Sequence, residues 1–428
     1  MNILYLAWKN VIKNPLNLLM SVILFGLGVG LISFLLLFNS QLKEKFDKNL
    51  ADIDLVVGAK GSPLQMILCS MYHIDNPTGN IPIKNAAPLL REPHPLIKQA
   101  VPLSLGDSYK SYRIVGTNHE ILGLYGATVA EGDLWKNDFE VTLGHTVAQE
   151  SGLKLGDKFV SSHGFADDAD LAHDHAAFMV KGILAPTGSV IDQLILTNTA
   201  SIWLVHEHQG EENEGAATHE EDHHHHDHGE DHIHDNSNAD LLAHPEQEIT
   251  SVLIRYRNKT NFQALNFGRN INENTEMQAA SPAIEINRLY SMIGLGTDAI
   301  RNLAILIAIV SALSIFISLY KGLRERRYEL ALMRVMGAHR SGLFALVILE
   351  GLILAGIGFA VGSLVSHLGM HWAAGFLKQD FRYSFTGWKW LHEEWYILGA
   401  SLVLGLIASL LPAIQAARTD INKTLSEK

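Results

Sequence analysis

The chain has 428 residues, of which 47% are hydrophobic and 18% charged, a balance that suits a membrane protein with a large soluble part. Its single cysteine, Cys69, excludes an internal disulfide framework. The formal net charge is −12, but residues 206–244 hold twelve Asp and Glu and no Lys or Arg. Elsewhere 33 acidic side chains balance the 33 basic ones, so the rest of the chain has no charge bias towards nucleic acid.

The N-terminus predicts an interfacial helix followed by a membrane helix. In residues 1–15 apolar side chains lie on one helical face and Lys9 and Lys13 on another, and Pro15 ends the pattern. Residues 16–38 are apolar over a length that crosses ~30 Å of hydrocarbon. This run is too long for a signal-peptide core, so we expect an uncleaved anchor with its N-terminus in the cytoplasm.

A large domain is predicted over residues 39–299. Short alternating apolar runs separated by glycines make about 110–200 β-rich, and a strand at Ser251–Tyr256 precedes a helix at Asn261–Asn274. The glycines of Gly58–Ser62 do not form a nucleotide-binding loop, because the sequence Gly-Lys-Ser/Thr occurs nowhere in the chain. Without a Walker A motif, the chain is not expected to hydrolyse ATP or to be an enzyme.

Three more apolar runs predict further membrane helices. Between two of them, residues 321–342 contain six Lys and Arg against two Glu, which keeps this loop in the cytoplasm. The predicted fold class is an α-helical membrane protein with four transmembrane helices plus a large α+β extracytoplasmic domain. The predicted segments are TM1 at 16–38, TM2 at 300–320, TM3 at 343–369, an outer loop at 370–394, TM4 at 395–417 and a cytoplasmic tail at 418–428.

The loop at 321–342 predicts a short amphipathic helix with an apolar stripe and with Gly337 at its end. The simplest interpretation is a basic loop that only sets membrane orientation. However, its residues resemble the cytoplasmic loop of MacB/FtsX/LolC-type ABC permeases, and the end of the chain resembles the end of their last helix. The matching patterns are Arg326-x-x-Glu329-x-x-x-Met333-Arg334-x-x-Gly337-Ala338, then Leu349-Glu350-Gly351, and finally Leu411-Pro-Ala-Ile-Gln-Ala-Ala-Arg418.

This resemblance implies partners and a location. It makes the outer domain MacB-like and seats residues 321–342, as a coupling helix, on a separate ABC ATPase subunit at a bacterial inner membrane. Two half-permeases are needed, so a homodimer is expected, or a heterodimer with a paralogous permease. The work would be done on a periplasmic substrate, lipoprotein or partner protein; an FtsX-like signalling protein that exports nothing is the alternative. The residues that the resemblance assigns to ATPase coupling are Arg324, Arg326, Arg327, Glu329, Met333, Arg334 and Gly337.

Two glycine pairs and one acid stand out within the apolar runs. Gly26-x-x-x-Gly30 and Gly358-x-x-x-Gly362 have the spacing that lets membrane helices pack closely, although lipid also tolerates glycines that make no contact. Glu350 is the one acid of the four runs, and a structural hydrogen bond explains it as well as a functional role does. Because no chain of ligands crosses the runs, ion conduction is not expected.

Histidines supply the only metal chemistry. Residues 206–244 hold eleven of the 22 histidines among acids, without an apolar face, so this segment is expected to be disordered. It could bind Zn²⁺, and a metal importer or sensor is a third hypothesis that rests on this segment alone. No cofactor is otherwise required. A smaller set lies at a predicted hairpin tip, where a solvated acidic loop is the alternative, and His367 and His371 are expected at the membrane interface. The candidate ligands are His223, His224, His225, His226, His228, His232 and His234, and in the hairpin His163, His173 and His175.

Overall fold

The computed structural model describes residues 3–13, 15–163, 172–205, 237–381 and 385–418. Its contacts divide the chain into a helical unit, Met1–Glu44 with Met292–Lys428, and an α/β unit, Lys45–Ser291. The helices are α1 (Ile3–Lys13), α2 (Pro15–Asn49), α3 (Pro63–Tyr72), α4 (Ile83–Leu90), α5 (Glu120–Tyr125), α6 (His145–Ser151), α7 (199–205), α8 (Asn238–Leu242), α9 (Phe262–Asn274), α10 (Pro282–Glu325), α11 (Arg327–Val335), α12 (Arg340–Phe381) and α13 (Glu393–Ala417). The strands are β1 (Leu55–Ala59), β2 (Ile81–Pro82), β3 (Ile97–Tyr109), β4 (Tyr112–Thr117), β5 (Val129–Gly132), β6 (Glu140–Leu143), β7 (Lys158–His163), β8 (Ala172–Leu184), β9 (Ile195–Thr197), β10 (Glu248–Ile249), β11 (Ser251–Tyr256) and β12 (Met277–Ala280).

Four helices within the described ranges are long and apolar enough to cross a membrane. They are Leu18–Asn49 in α2, Pro282–Glu325, which is all of α10, Arg340–Phe376 in α12, and Glu393–Ala417, which is all of α13. Each contains one of the four apolar runs that predict a membrane segment, so the number and order of these helices agree with the sequence.

The helices extend beyond the predicted membrane segments. Helix α10 is one helix of 44 residues, although the apolar run covers only 300–320. Helix α12 continues to Phe381, through the first half of the predicted outer loop. No proline interrupts either helix after its first residue, so nothing stops it where the apolar run ends. Pro15 and Pro282 stand at the first position of α2 and α10, where the missing N–H costs no helical hydrogen bond.

Buried apolar side chains join the helices of the helical unit in two clusters. One combines α2, α10, α12 and α13 around Phe25, Ile315 and Phe359. The other combines α1, α11, α12 and α13 around Leu330 and Leu343. The short helix α11 is therefore held by packing of one face, as is general for helices too short to be stable alone.

The α/β unit is built on one mixed sheet with the strand order β12-β1-β11-β3-β4-β9-β6-β8-β5, and β7 pairs with β3 and β8. Strands β4 and β9 pair in parallel, as do β6 and β8. The sheet extends beyond the predicted β-rich range, about 110–200: it includes β11, which is the predicted strand at Ser251–Tyr256, and also β1, β3 and β12, which are not predicted. These outer strands pair over long sequence separations, for example Val56 with Leu253, and a local alternation pattern carries no information about such partners.

Residues 237–244 belong to the packed α/β unit. Asn238 is buried, donates its amide to the Ala100 carbonyl at 3.0 Å, and accepts from Asn118 at 3.0 Å. Leu241 of α8 is buried beside the core of β1 and β11. The expectation of disorder for 206–244 is thus wrong for 237–244, because the apolar pair that ends the histidine-rich segment can be buried. Residues 206–236 lie outside the described residues.

Candidate functional site

Helix α11 occupies the basic segment between α10 and α12 and ends as its sequence predicts. The Gly337 N–H donates to the Arg334 carbonyl at 3.1 Å, and the Ala338 N–H donates to the Met333 carbonyl at 3.0 Å. Gly337 has φ = 99°, a conformation that a residue without a Cβ adopts readily. This pair of bonds is the Schellman ending, in which glycine follows the last helical residues.

The two faces of α11 differ sharply in burial. Leu330 and Ala331 are buried against the rest of the helical unit. Leu332 and Val335, by contrast, are 43% and 58% exposed, and Tyr328 is also exposed. The apolar stripe that the sequence predicts therefore faces away from the core of its own unit. An apolar surface that is left open and bordered by charged side chains is typical of an interaction site.

The residues assigned to coupling fall into different environments. Arg324 and Arg327 are exposed. Glu329 forms an ion pair with Lys13 of α1 at 3.3 Å, and both side chains are more than half exposed, so the pair contributes no more than ~1 kcal/mol. Met333 and Arg334 are half-buried. Thus the exposed surface of α11 carries part of the predicted set, and Glu329 also contacts the N-terminal helix α1.

A cavity of ≈ 490 Å³ opens where α1, the end of α11 and the start of α12 meet. Its apolar lining comes from all three helices, and His339 and Ser341 add polar groups at the same place. The cavity continues the exposed surface of α11, because Met336 lines it and is itself 72% exposed. The apolar residues that line it are Ile3, Leu6, Met333, Met336, Leu343 and Leu346.

Arg326 lies apart from the exposed arginines of this segment. Its guanidinium donates from Nη1 and Nη2 to the two carboxylate oxygens of Glu350, at 3.2 Å each. Glu350 also accepts from Asn10 of α1 at 2.7 Å, and its side chain is only 3% exposed. Of the two alternatives for Glu350, the structure contains the structural hydrogen bonds. Arg326 therefore points away from the exposed stripe of α11, and its assignment to ATPase coupling stays a prediction.

The four packing glycines lie together where α2 crosses α12. A Cβ on Gly30 would stand 2.9 Å from the Gly362 carbonyl oxygen, and a Cβ on Gly362 would stand 2.6 Å from the Gly26 carbonyl oxygen. A Cβ on Gly358 would stand 2.7 Å from the ring of Phe25. These distances leave no room for a side chain, so the glycines permit a backbone-to-backbone approach of the two helices.

A buried histidine–carboxylate pair joins α12 to α13. His367 Nε2 lies 3.1 Å from the Glu394 carboxylate, and its Nδ1 lies 2.5 Å from the Gly387 carbonyl oxygen. Glu394 also accepts from the Leu391 N–H at 3.3 Å and is 1% exposed. The membrane-interface position expected for His367 stays a prediction, and the structure adds its contact with Glu394 of the next helix. The sequence does not indicate this partner, because Glu393 and Glu394 fall within the predicted outer loop 370–394, although two acids before an apolar run also suit the first turn of a helix.

Three of the candidate metal ligands lie on the two strands of the predicted hairpin. His163 ends β7, and His173 and His175 lie in β8, which pairs with β7 as the predicted hairpin requires. Their side chains, and all of 206–236 with His223 to His234, lie outside the described residues. Among the side chains that the structure describes, no group of three or more His, Cys, Asp or Glu is arranged to hold a metal ion.

Comparison with known protein families gives one finding. Residues 302–421 match a family model described as "FtsX-like permease C-terminal". The match covers the second half of α10, then α11, α12 and α13, and so contains the exposed stripe of α11, Arg326, Glu350 and the glycines of α12. No curated protein matches the chain.

Proposed function

Because residues 302–421 belong to the FtsX-like permease family, we propose that this chain is the permease subunit of an ABC transporter of the mechanotransmission type. It couples ATP hydrolysis by a separate ATPase chain to movement or export of a substrate on the far side of the membrane. The observation that carries the proposal is α11: a short helix between two long apolar helices, with one face fixed and an apolar face open.

The exposed face of α11 suits a protein partner better than water alone. A loop that only set orientation would need its arginines but no open apolar stripe. Here Leu332, Val335 and Met336 are all more than 40% exposed beside the exposed Arg327. Interfaces combine an apolar centre with a polar rim, and a few central side chains carry most of the binding free energy. We therefore assign docking of the ATPase to this stripe and its flanking arginines.

The placement in the membrane follows from charge. Residues 321–342 carry the excess of Lys and Arg that short cytoplasmic loops carry, so α11 faces the cytoplasm of a bacterial inner membrane. The α/β unit then lies in the periplasm, as a MacB-like domain does, because along the chain one apolar helix separates it from α1 and another separates it from α11. Two copies, or one copy and a paralogous permease, complete the transporter. The substrate or partner, a lipoprotein among the candidates, is met on the periplasmic side.

Two other functions remain in competition with export. A signalling permease would use the same docking surface to activate a periplasmic protein and would move no substrate. A role in zinc supply rests on the histidines of 206–234, a residue type and spacing suited to Zn²⁺. Stimulation of ATP hydrolysis by a transported substrate separates export from signalling, and zinc accumulation in cells tests the third function.

The docking surface is tested by Leu332→Glu with Val335→Glu, which puts two charges on exposed positions without touching the buried face of α11. A tagged permease is purified from the membranes of its own cells, and the ATP hydrolysis that accompanies it is measured. We expect the wild type to bring an ATPase and the variant to lose it. The matched control, Lys98→Glu with Lys154→Glu, changes two exposed lysines of the α/β unit and retains the ATPase. Equal ATPase recovery from both variants would refute the assignment.

A further inference from the structure

Arg326 is the residue at which α10 ends and α11 begins. Its N–H donates to the Gly322 carbonyl at 3.2 Å in the last turn of α10, and its carbonyl accepts from the Leu330 N–H at 3.0 Å in the first turn of α11. Its backbone, with φ = −102° and ψ = 14°, is not that of a helix interior. The direction of α11 is therefore set at this residue.

The side chain of Arg326 ties this break to two other helices. Its Nε donates to the Gly322 carbonyl at 3.2 Å, and its two terminal nitrogens hold both oxygens of Glu350 on α12. Asn10 of α1 donates to the same carboxylate. A planar guanidinium that binds a carboxylate through two bonds fixes orientation as well as distance.

The ion pair is largely buried, with 15% of the Arg326 side chain and 3% of the Glu350 side chain exposed. A small cavity of ≈ 30 Å³ beside it is lined by apolar side chains together with Asn10 and Ser318, and the only charged side chains among its described lining are those of the pair itself. In such surroundings neither charge can leave the other without a large desolvation penalty. The Arg326 side chain is thus bound to follow Glu350 when either helix moves.

Glu350 sits where α12 is pressed against α13. A Cβ on the next residue, Gly351, would stand 2.5 Å from the Cβ of Ser409. A Cβ on Gly405 would stand 2.6 Å from the Cβ of Ala355 and 2.9 Å from the Gly351 carbonyl oxygen. Close-packed contacts of this kind transmit displacement instead of absorbing it.

We propose that Arg326, Glu350 and Asn10 form a clamp that fixes α11 against α12, so that a displacement of α11 reaches α12 and is not absorbed at the break after α10. The clamp rests on the proposed function only in taking α11 as the helix that the ATPase moves. It makes Arg326 a positioning residue, placed behind the docking surface and not on it.

The alternative is that the pair only stabilises the fold. Replacing a buried ion pair by apolar side chains of similar volume is often neutral for stability, whereas removing one charge is strongly destabilising. The informative variant is therefore Arg326→Met with Glu350→Leu. A merely structural pair predicts that this variant keeps α11 in place. A clamp predicts that the variant folds but lets α11 change its direction.

The test measures the position of α11 directly. In a Cys69→Ser background, which removes the only cysteine, Val335→Cys on α11 and Leu364→Cys on α12 carry spin labels at two exposed positions. Pulsed electron paramagnetic resonance gives the distance distribution, with labelled chain diluted by unlabelled chain so that distances within one copy dominate. We expect the apolar variant to broaden the distribution at least about twofold, while its thermal midpoint stays at the wild-type value. The swapped variant, Arg326→Glu with Glu350→Arg, restores the narrow distribution.

Two further variants keep the test decisive. Lys13→Ala with Glu329→Ala removes the exposed ion pair that also links α11 to α1, and it leaves the distribution unchanged because exposed pairs hold little free energy. Arg326→Lys keeps both charges, but an ammonium cannot hold both oxygens of Glu350 in the fixed plane of a guanidinium. It broadens the distribution, and it decides the question if the apolar variant does not fold. A wild-type distribution in the folded apolar variant, or in Arg326→Lys, would overturn the clamp.

The same apolar variant separates this inference from the proposed function. With a clamp, the ATPase still co-purifies with the apolar variant, because the docking surface is intact. The factor by which the permease changes ATP hydrolysis per ATPase molecule, relative to the ATPase alone, falls at least about fivefold in the variant. If no ATPase accompanies even the wild type, the proposed function fails, while the distance measurement still reports on the clamp.

Discussion

Gly362→Ala and Gly356→Ala compare two glycines of the same helix that differ in one respect. A Cβ on Gly362 meets the Gly26 carbonyl oxygen at 2.6 Å and the Gly30 nitrogen at 3.0 Å, whereas a Cβ on Gly356 meets nothing within 4 Å. Both substitutions gain the helix propensity of alanine, about 1 kcal/mol. Only Gly362→Ala must also push α2 and α12 apart, and overpacking of this kind costs about 1–3 kcal/mol.

The difference between the two variants isolates the packing cost, because the gain in helix propensity is common to both. We expect Gly356→Ala to unfold at the wild-type detergent concentration or above it, and Gly362→Ala to be less stable than Gly356→Ala by about 1–3 kcal/mol. Unfolding of the purified protein in mixed micelles with increasing SDS, followed by far-ultraviolet circular dichroism, measures both. Equal stability of the two variants would show that Gly362 is merely tolerated in α12. The stability of the protein would then not depend on the close approach of α2 and α12 at this glycine.

Two further predictions concern the α/β unit and the histidine-rich segment. Burial alone would raise the pKa of Glu140, but hydrogen bonds from the Lys136 and Asn137 N–H groups and from Lys181 outweigh burial and hold that pKa below its usual value. The carboxylate therefore stabilises the fold above its unfolded-state pKa and loses this contribution as pH falls through the folded-state pKa. In chemical denaturation, Glu140→Gln should lower the free energy of unfolding at pH 7 but not at strongly acidic pH. An equal loss at both pH values would contradict this. Deletion of 210–236, which spares the buried Asn238, should leave thermal stability unchanged and lower the number of Zn²⁺ ions bound per chain in calorimetry at pH 7.5. Zinc binding to the full chain should weaken below about pH 6.5, where free imidazole is protonated, and an equal zinc stoichiometry with and without the segment would make it a spacer.

Much of the helical unit is predictable because its signals are local. Each long apolar run became a helix, and the glycine that ends α11 lies one residue beyond its C-cap. The direction in which a single side chain points is harder to predict from the sequence. Arg326 and Arg327 are neighbours in a basic segment, yet one is held inside and the other is exposed. The break between α10 and α11 determines which arginine side chain turns inward. A helical periodicity across 321–342 assumes one continuous helix and so does not predict this break.

The sheet shows the limit of local patterns more clearly. The strand at Ser251–Tyr256 is predicted from its own alternation, but its partners β1 and β3 are set by tertiary packing. The same holds for Glu394, whose burial depends on His367 reaching it from another helix. Acids beside an apolar run are solvated in most sequences, so only the meeting of α12 and α13 distinguishes this one.

Helix α12 meets α2 through Gly362 and α13 through Gly405, and a thermodynamic cycle can show whether it transmits strain between them. Along α12 the two contacts are about 10 Å apart, since Ala355 faces Gly405 and seven residues separate it from Gly362. Mutations at that separation without shared partners usually add within about 0.5 kcal/mol. If α12 moves as one rigid body, Gly362→Ala and Gly405→Ala both displace it, and the second displacement costs a different amount once the first has occurred. We therefore expect the SDS unfolding free energies of the two single variants and the double variant to give an interaction energy above about 0.5 kcal/mol. Strict additivity would mean that each interface yields locally, and a force on α11 would then stop at α12 even with its clamp intact.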